Sequence, residues 1–263
     1  MAKLLDIPSV IVYGSTDPTY EGLDCDQAIV PEQKASYQPE EYPKAINSIR
    51  PEEISNAALK ATGQSRRVED ETIFIGPQYG KIYIEIVPNA VVDPQFLQGQ
   101  SPTLRCDYEY NEQILAQNLS HTRCSIVTDK KTNLDLYRQF RQNIVSINFK
   151  VSMGSDLDYI KKLRNIGIEV KLWFDDVANK NNILFKFLDI EQPYFLECKS
   201  FDLDIPEGAK YRSFKYILSG GNIYISKHAY LEGRAVDIGE NWLDVGEVNE
   251  DFQREMEYFK IFT

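Results

Sequence analysis

Four small polar residues, Gly14, Ser15, Thr16 and Asp17, follow directly on the apolar run from Ser9 to Tyr13. A buried strand that empties into such a turn offers backbone N–H groups and two hydroxyls to an anion, with Gly14 permitting close backbone approach. Asp17, itself anionic, is expected to face away from a phosphate and to serve as a turn or cap acceptor. All four are also turn formers, so a plain β-turn is the competing reading. A second pair, Asp175 and Asp176, closes the strand-like stretch 168–174. Adjacent acids there suit a divalent cation bridging a diphosphate, the one cofactor the sequence suggests; alternatively they cap the helix that follows. Between 105 and 112, Asp107, Tyr108 and Tyr110 set aromatic rings beside carboxylates, a composition that fits a sugar ring. The alternative is that Asn111 caps a helix while a tyrosine packs inwards.

Histidine and cysteine chemistry is sparse. His121, read in a loop over 118–123, and His228, read at the end of a strand over 222–227, are the only two histidines, and neither accompanies a G-x-S-x-G nucleophile elbow. Cys25, Cys106, Cys124 and Cys198 lie far apart with no CxxC pair, so no zinc site is expected and buried free thiols are the reading adopted.

The elements that must position these residues are legible from spacing. Residues 9–13 read as a buried parallel strand and 28–30 as a second short one. Residues 51–62 read as a helix: Pro51 at its first position, Glu52 and Glu53 in its first turn, Gly63 beyond its end, and Ile54, Ala57, Ala58 and Ala61 on one apolar face. Residues 64–71 read as a polar linker, and 72–108 as strands that either extend a later sheet or form a small β element. Strands over 123–128, 144–151 and 168–174 alternate with helices over 134–140 and 157–165. Their starts fall about 21 to 24 residues apart, the length of a short βα unit, which predicts a parallel sheet with right-handed crossovers. A repeat solenoid has a similar period but is set aside because no residue signature recurs. Ser219-Gly220-Gly221 marks a hairpin, and Asn249 caps a helix carrying Phe252, Met256 and Phe259 as core residues.

The whole composition narrows the partners. The chain has 263 residues and a formal net charge of −11. That excess repels nucleic acid and anionic membrane surfaces. No apolar stretch approaches the length of a membrane span, which predicts a cytoplasmic protein without integral membrane association.

Residues 4–18, followed by Ile49-Arg-Pro-Glu-Glu-Ile54, resemble the closing part of family 9 glycosyltransferases, the heptosyltransferase-like enzymes. In that family a strand leads to an F-G-x-T-x-P turn and then to a last helix opened by Pro-Glu-Glu. The resemblance covers residues 1–63. It implies the C-terminal part of a Rossmann-like lobe of GT-B architecture, with Gly14, Ser15, Thr16 and Asp17 on the donor diphosphate side. It also implies a nucleotide-sugar donor and a carbohydrate acceptor, for which Asp107, Tyr108, Tyr110, Asp175 and Asp176 are the candidate contacts. The family's acidic-[ST]-G-x-x-H donor segment and its N-terminal lobe precede the matched region, so the chain is expected to be N-terminally truncated. The expected organisation is a partial lobe over 1–63, a linker and small β region over 64–108, and a parallel-sheet α/β domain over 109–263. The expected function is glycosyl transfer, with a non-catalytic carbohydrate- or protein-binding module as the alternative.

Overall fold

The computed structural model describes residues 5, 7–14, 16–23, 26–31, 49–97, 99–198, 201–237, 239 and 242–263. The fold is mixed α/β with mostly parallel strand pairing, and the chain divides into two compact units. The first comprises Met1–Phe74, Ile205–Ala209 and Ile261–Thr263; the second comprises Ile75–Asp204 and Lys210–Lys260.

In the first unit, β1 (Ser9–Val12) is followed by the short helix α1 (Pro18–Glu21) and by β2 (Asp26–Ile29), which pairs with β1 in parallel. Helix α2 (Pro51–Ala61) packs on β1, with Ala57 joining Ile29, Ile49, Val10 and Val12 in a small core. The expected apolar face of α2 is only partly used. Ile54 is exposed, whereas Glu52 is buried and accepts a hydrogen bond from the Thr72 hydroxyl at the start of β3 (Thr72–Ile75). The stretch 64–71 is tied down rather than free, because the Asn56 amide accepts from Val68 N–H (2.7 Å) and donates to Val68 C=O (3.1 Å).

The second unit is built on β4 (Tyr83–Ile86), β5 (Thr103–Arg105), β6 (Cys124–Thr128), β7 (Ile144–Lys150), β8 (Glu169–Phe174) and β9 (Tyr194–Phe195), each parallel to the next. Strands 72–108 therefore split, with β4 and β5 extending the large sheet. Between the strands lie α3 (Glu112–His121), α4 (Leu134–Gln139), α5 (Leu157–Arg164) and α6 (Lys180–Lys186). Because the strands are spatial neighbours in chain order, right-handed crossovers send every helix to one face. The core agrees: Leu115, Tyr137, Ile160 and Ile183 of the helices join Ile86, Leu104, Ile126, Ile147 and Leu172 of the strands in one cluster. After β10 (Lys210–Ser213), strand β11 (Lys215–Ser219) inserts on the far side of β4 in parallel, and β12 (Asn222–Tyr224) returns antiparallel around Gly220 and Gly221, both at positive φ. This completes eight strands in the order β12-β11-β4-β5-β6-β7-β8-β9. Winding reverses between β4 and β11.

Beyond β12 the chain forms α7 (Lys227–Leu231), β13 (Trp242–Asp244), antiparallel to β10, then α8 (Glu250–Glu255) and β14 (Phe259–Phe262). Asn249 caps α8 by accepting from Phe252 N–H (3.0 Å), as expected. Phe252, Met256 and Phe259 are all buried, but Phe259 belongs to a strand, since α8 ends at Glu255. Two histidine placements are corrected. His121 lies in the last turn of α3, and His228 is a buried residue of α7, its Nδ1 2.9 Å from the Asn249 amide nitrogen and its Nε2 3.1 Å from Glu232. Cys106, Cys124 and Cys198 are free thiols, and burial pushes Cys124 up to about 12, which keeps it protonated. Cys25 lies outside the described residues.

Candidate functional site

The turn after β1 is held by short-range bonds. Tyr13 N–H donates to Ile29 C=O (2.9 Å), continuing the parallel pairing up to Gly14, and Thr16 is solvent-exposed. Asp17 caps α1: its carboxylate accepts from Thr19 N–H (2.9 Å) and from the Thr19 hydroxyl. Those two bonds, the hydroxyl's first, hold the Asp17 carboxyl below its ordinary value. Ser15 lies outside the described residues. The same unit has a cleft of about 640 Å³ lined by β2, α2 and the 64–71 stretch, including Arg50, Lys60, Arg66 and Arg67; Gly14, Thr16 and Asp17 do not line it.

In the second unit the sequence candidates separate into two groups. Asp107 sits just past β5, where both its oxygens accept from the Arg105 guanidinium (2.9 and 2.7 Å). Arg105 also reaches Glu85 (2.6 Å) and lies 3.8 Å from the centroid of the Tyr108 ring. Tyr108 in turn stacks on Tyr230 with centroids 5.5 Å apart. Tyr110 donates to Glu112 (2.9 Å), and Asn111 caps α3 by accepting from Gln113 N–H and Ile114 N–H. The inward tyrosine and the cap are both present. At the end of β8, Asp175 pairs with Lys150 (2.8 Å), while Asp176 accepts from Asn179 N–H (3.1 Å) and its side-chain amide (2.8 Å). Asp176 thus fixes the turn leading into α6, whose own cap position is Asn179. No group of three His, Cys, Asp or Glu side chains suited to a metal occurs among the described residues.

The most concentrated electrostatics lie on residues the sequence reading passed over. Glu85, in the centre of β4, and Lys215, at the start of β11, are 3% and 6% exposed. Lys215 lies 3.3 Å from Glu85 and forms a second ion pair with Glu255 of α8. Glu255 also accepts Lys227 N–H (2.5 Å). Burial alone would raise Glu85, but Lys215 and Arg105 outweigh it and hold the carboxyl below its ordinary value. Burial alone would lower Lys215, yet Glu255 and Glu85 keep it charged. Held so, Lys215 is no nucleophile at neutral pH. The second oxygen of Glu85 is buried with no hydrogen-bond partner. The sequence signal was there: a carboxylate inside Tyr-Ile-Glu-Ile and a lysine opening a β-rich run place charge on strands, and a buried charge must find a partner.

Against this geometry, no family model, no curated protein and no solved structure matches the chain. Among the described residues no helix is long and apolar enough to cross a membrane.

Proposed function

We propose that the chain carries the donor-side portion of a nucleotide-sugar-dependent glycosyltransferase of family 9 type. One observation carries the reading: in the first unit a strand runs through Gly14 into an exposed polar turn, pairs in parallel with β2, and is backed by a helix opened by Pro51-Glu52-Glu53. This is the order of parts the sequence resemblance leads one to expect. In this reading the diphosphate of the donor docks beyond the carboxyl end of β1. Gly14 allows backbone approach, Ser15 and Thr16 donate to phosphate oxygens, and Asp17, engaged with Thr19, stays clear of the anion. The reaction is displacement at the anomeric carbon by an acceptor hydroxyl.

The test is calorimetric titration with UDP, GDP, ADP and CDP, with and without magnesium. Binding of at least one is expected. Thr16→Val is expected to lose about 1.5–3 kcal/mol of that affinity, the worth of a hydrogen bond to a charged group, with the melting temperature unchanged because Thr16 is exposed. No heat with any nucleotide at millimolar concentration would remove the reading.

A second reading, a non-catalytic carbohydrate- or protein-binding module, is favoured by the second unit. Its acids Asp107, Asp175 and Asp176 are engaged with Arg105, Lys150 and Asn179. Glycan binding without nucleotide binding would select it.

A further inference from the structure

His228 is 2% exposed, and neither reading of the function uses it. Its neighbours fix where its proton sits. Asn249 caps α8 with its amide oxygen, which accepts Phe252 N–H (3.0 Å). An amide whose oxygen is committed to a backbone donor presents its NH2 group on the other side, and that nitrogen lies 2.9 Å from His228 Nδ1. Nδ1 is therefore the acceptor, and the neutral ring carries its proton on Nε2. Nε2 stands 3.1 Å from a Glu232 carboxylate oxygen, out of line for a hydrogen bond, so Glu232 supplies charge there rather than a directed contact.

The other charged groups around the ring are engaged with one another. Glu232 also pairs with Arg234 (2.6 Å). Lys227, beside His228 in α7, pairs with Asp251 of α8 (2.7 Å), and its backbone N–H donates to Glu255 (2.5 Å). The Phe252 ring stands edge-on to the imidazole, with centroids 6.1 Å apart, and edge-on to Tyr211 of β10, whose hydroxyl meets that of Ser226, the cap of α7 (3.0 Å). Among the described residues nothing but the Asn249 amide hydrogen-bonds to Nδ1.

We infer that His228 is a proton-operated latch on the start of α8: the neutral ring holds the Asn249 cap, and the imidazolium releases it. A proton added at Nδ1 turns an acceptor into a donor that faces another donor. Rotating the amide to offer its oxygen relieves the conflict but takes the acceptor away from Phe252 N–H, and swinging Asn249 clear does the same. Glu232 meets the new charge, so the buried imidazolium is not left without a counter-charge. The release reaches beyond the cap, because α8 carries the carboxylates of Asp251 and Glu255 that engage Lys227 and the buried Lys215. The inference is independent of the donor-site reading, since a chain that bound no nucleotide would still carry the latch.

The experiment is NMR on the nitrogen-15-labelled full chain between pH 8 and pH 5, the interval in which imidazoles change charge. Long-range nitrogen–proton correlations report the tautomer and charge of each imidazole, with His228 identified by the signals missing from His228→Gln. Hydrogen exchange reports the protection of Phe252 N–H, corrected for the intrinsic rate at each pH and referred to Ile147 in β7. The Nε2–H tautomer is expected at pH 8, with Phe252 protection falling about tenfold as the His228 ring titrates, the scale of a lost cap. His228→Gln should abolish that pH step. Asn249→Asp should remove or reverse it, because a carboxylate accepts from both Phe252 N–H and the imidazolium. An Nδ1–H tautomer at pH 8 overturns the inference, as does a ring that stays neutral down to pH 5. So does titration of the ring without change at Phe252, or the same loss of protection in His228→Gln.

Discussion

At the scale of single residues, the Glu85 carboxylate is where the protein is most vulnerable. It compensates Lys215 and Arg105 together, so Glu85→Gln leaves buried cations short of their partner. A loss of about 3–5 kcal/mol in unfolding free energy is expected, measured by urea denaturation at pH 7. The pH dependence follows from the same geometry. The Glu85 carboxyl is held below its ordinary value of 4.5, so its stabilisation is complete above that pH and is lost as the pH falls through the lower folded value. Urea midpoints taken between pH 7 and pH 3 should therefore fall less steeply for Glu85→Gln than for the parent. Lys215 has the opposite sense: its folded value is raised, so its contribution persists through neutral pH and is lost only in strong alkali. Of the acids picked out by sequence, Asp107 belongs to the margin of this network through Arg105, and Asp175 and Asp176 do not.

At the scale of elements, local chemistry sets the starts of helices, and two caps test it. Asn111→Ala removes the acceptor for two N–H groups at the start of α3 and should cost about 1 kcal/mol. Asn249→Ala should cost more, up to about 2 kcal/mol, because the same side chain also meets the buried His228 ring. Both are read from thermal or urea unfolding. Gly76 poses a different constraint. Its N–H donates to Phe259 C=O (2.7 Å), and a Cβ there would stand 2.3 Å from the Glu257 carbonyl oxygen. Gly76→Ala must push the segment joining α8 to β14 aside, with an expected loss of about 1–3 kcal/mol. The caps were visible as Asn before amphipathic runs. Nothing in the sequence around Gly76 says which backbone will approach it.

At the scale of the whole molecule, the net charge of −11 makes a clear prediction. A gel-shift assay with a 30-base-pair duplex at 0.15 M salt should show no retention at micromolar protein, because the mean field is repulsive. The two compact units set a further scale: the turn after β1 belongs to the first, and Asp107, Tyr108, Tyr110, Asp175 and Asp176 belong to the second. In the second unit the stepwise order β4 to β9 sends α3 to α6 to one face, while the other face carries the Glu85, Arg105 and Lys215 charges that meet Glu255 of α8.

Side-chain period and turn chemistry act over a few residues, and what depends on them was legible in the sequence. The alternation of β6, α4, β7, α5 and β8 appears where spacing places it, as do the parallel β1, the Pro51-opened α2, the hairpin at Gly220 and Gly221, and the cap at Asn249. Pairings between distant segments depend on how the whole chain closes, and no local pattern encodes them. Asn89 meets Ser219 across 130 residues, and Lys215 meets Glu255 across 40. That closure decides that β11 lies beside β4, that β4 and β5 join the large sheet while β3 does not, and that Phe259 leaves its helix for a strand. It also turns Glu85, Lys215 and Glu255 into one buried network. Each of the three is an ordinary surface charge by type, and burial makes them partners because an unpaired charge cannot be taken out of water.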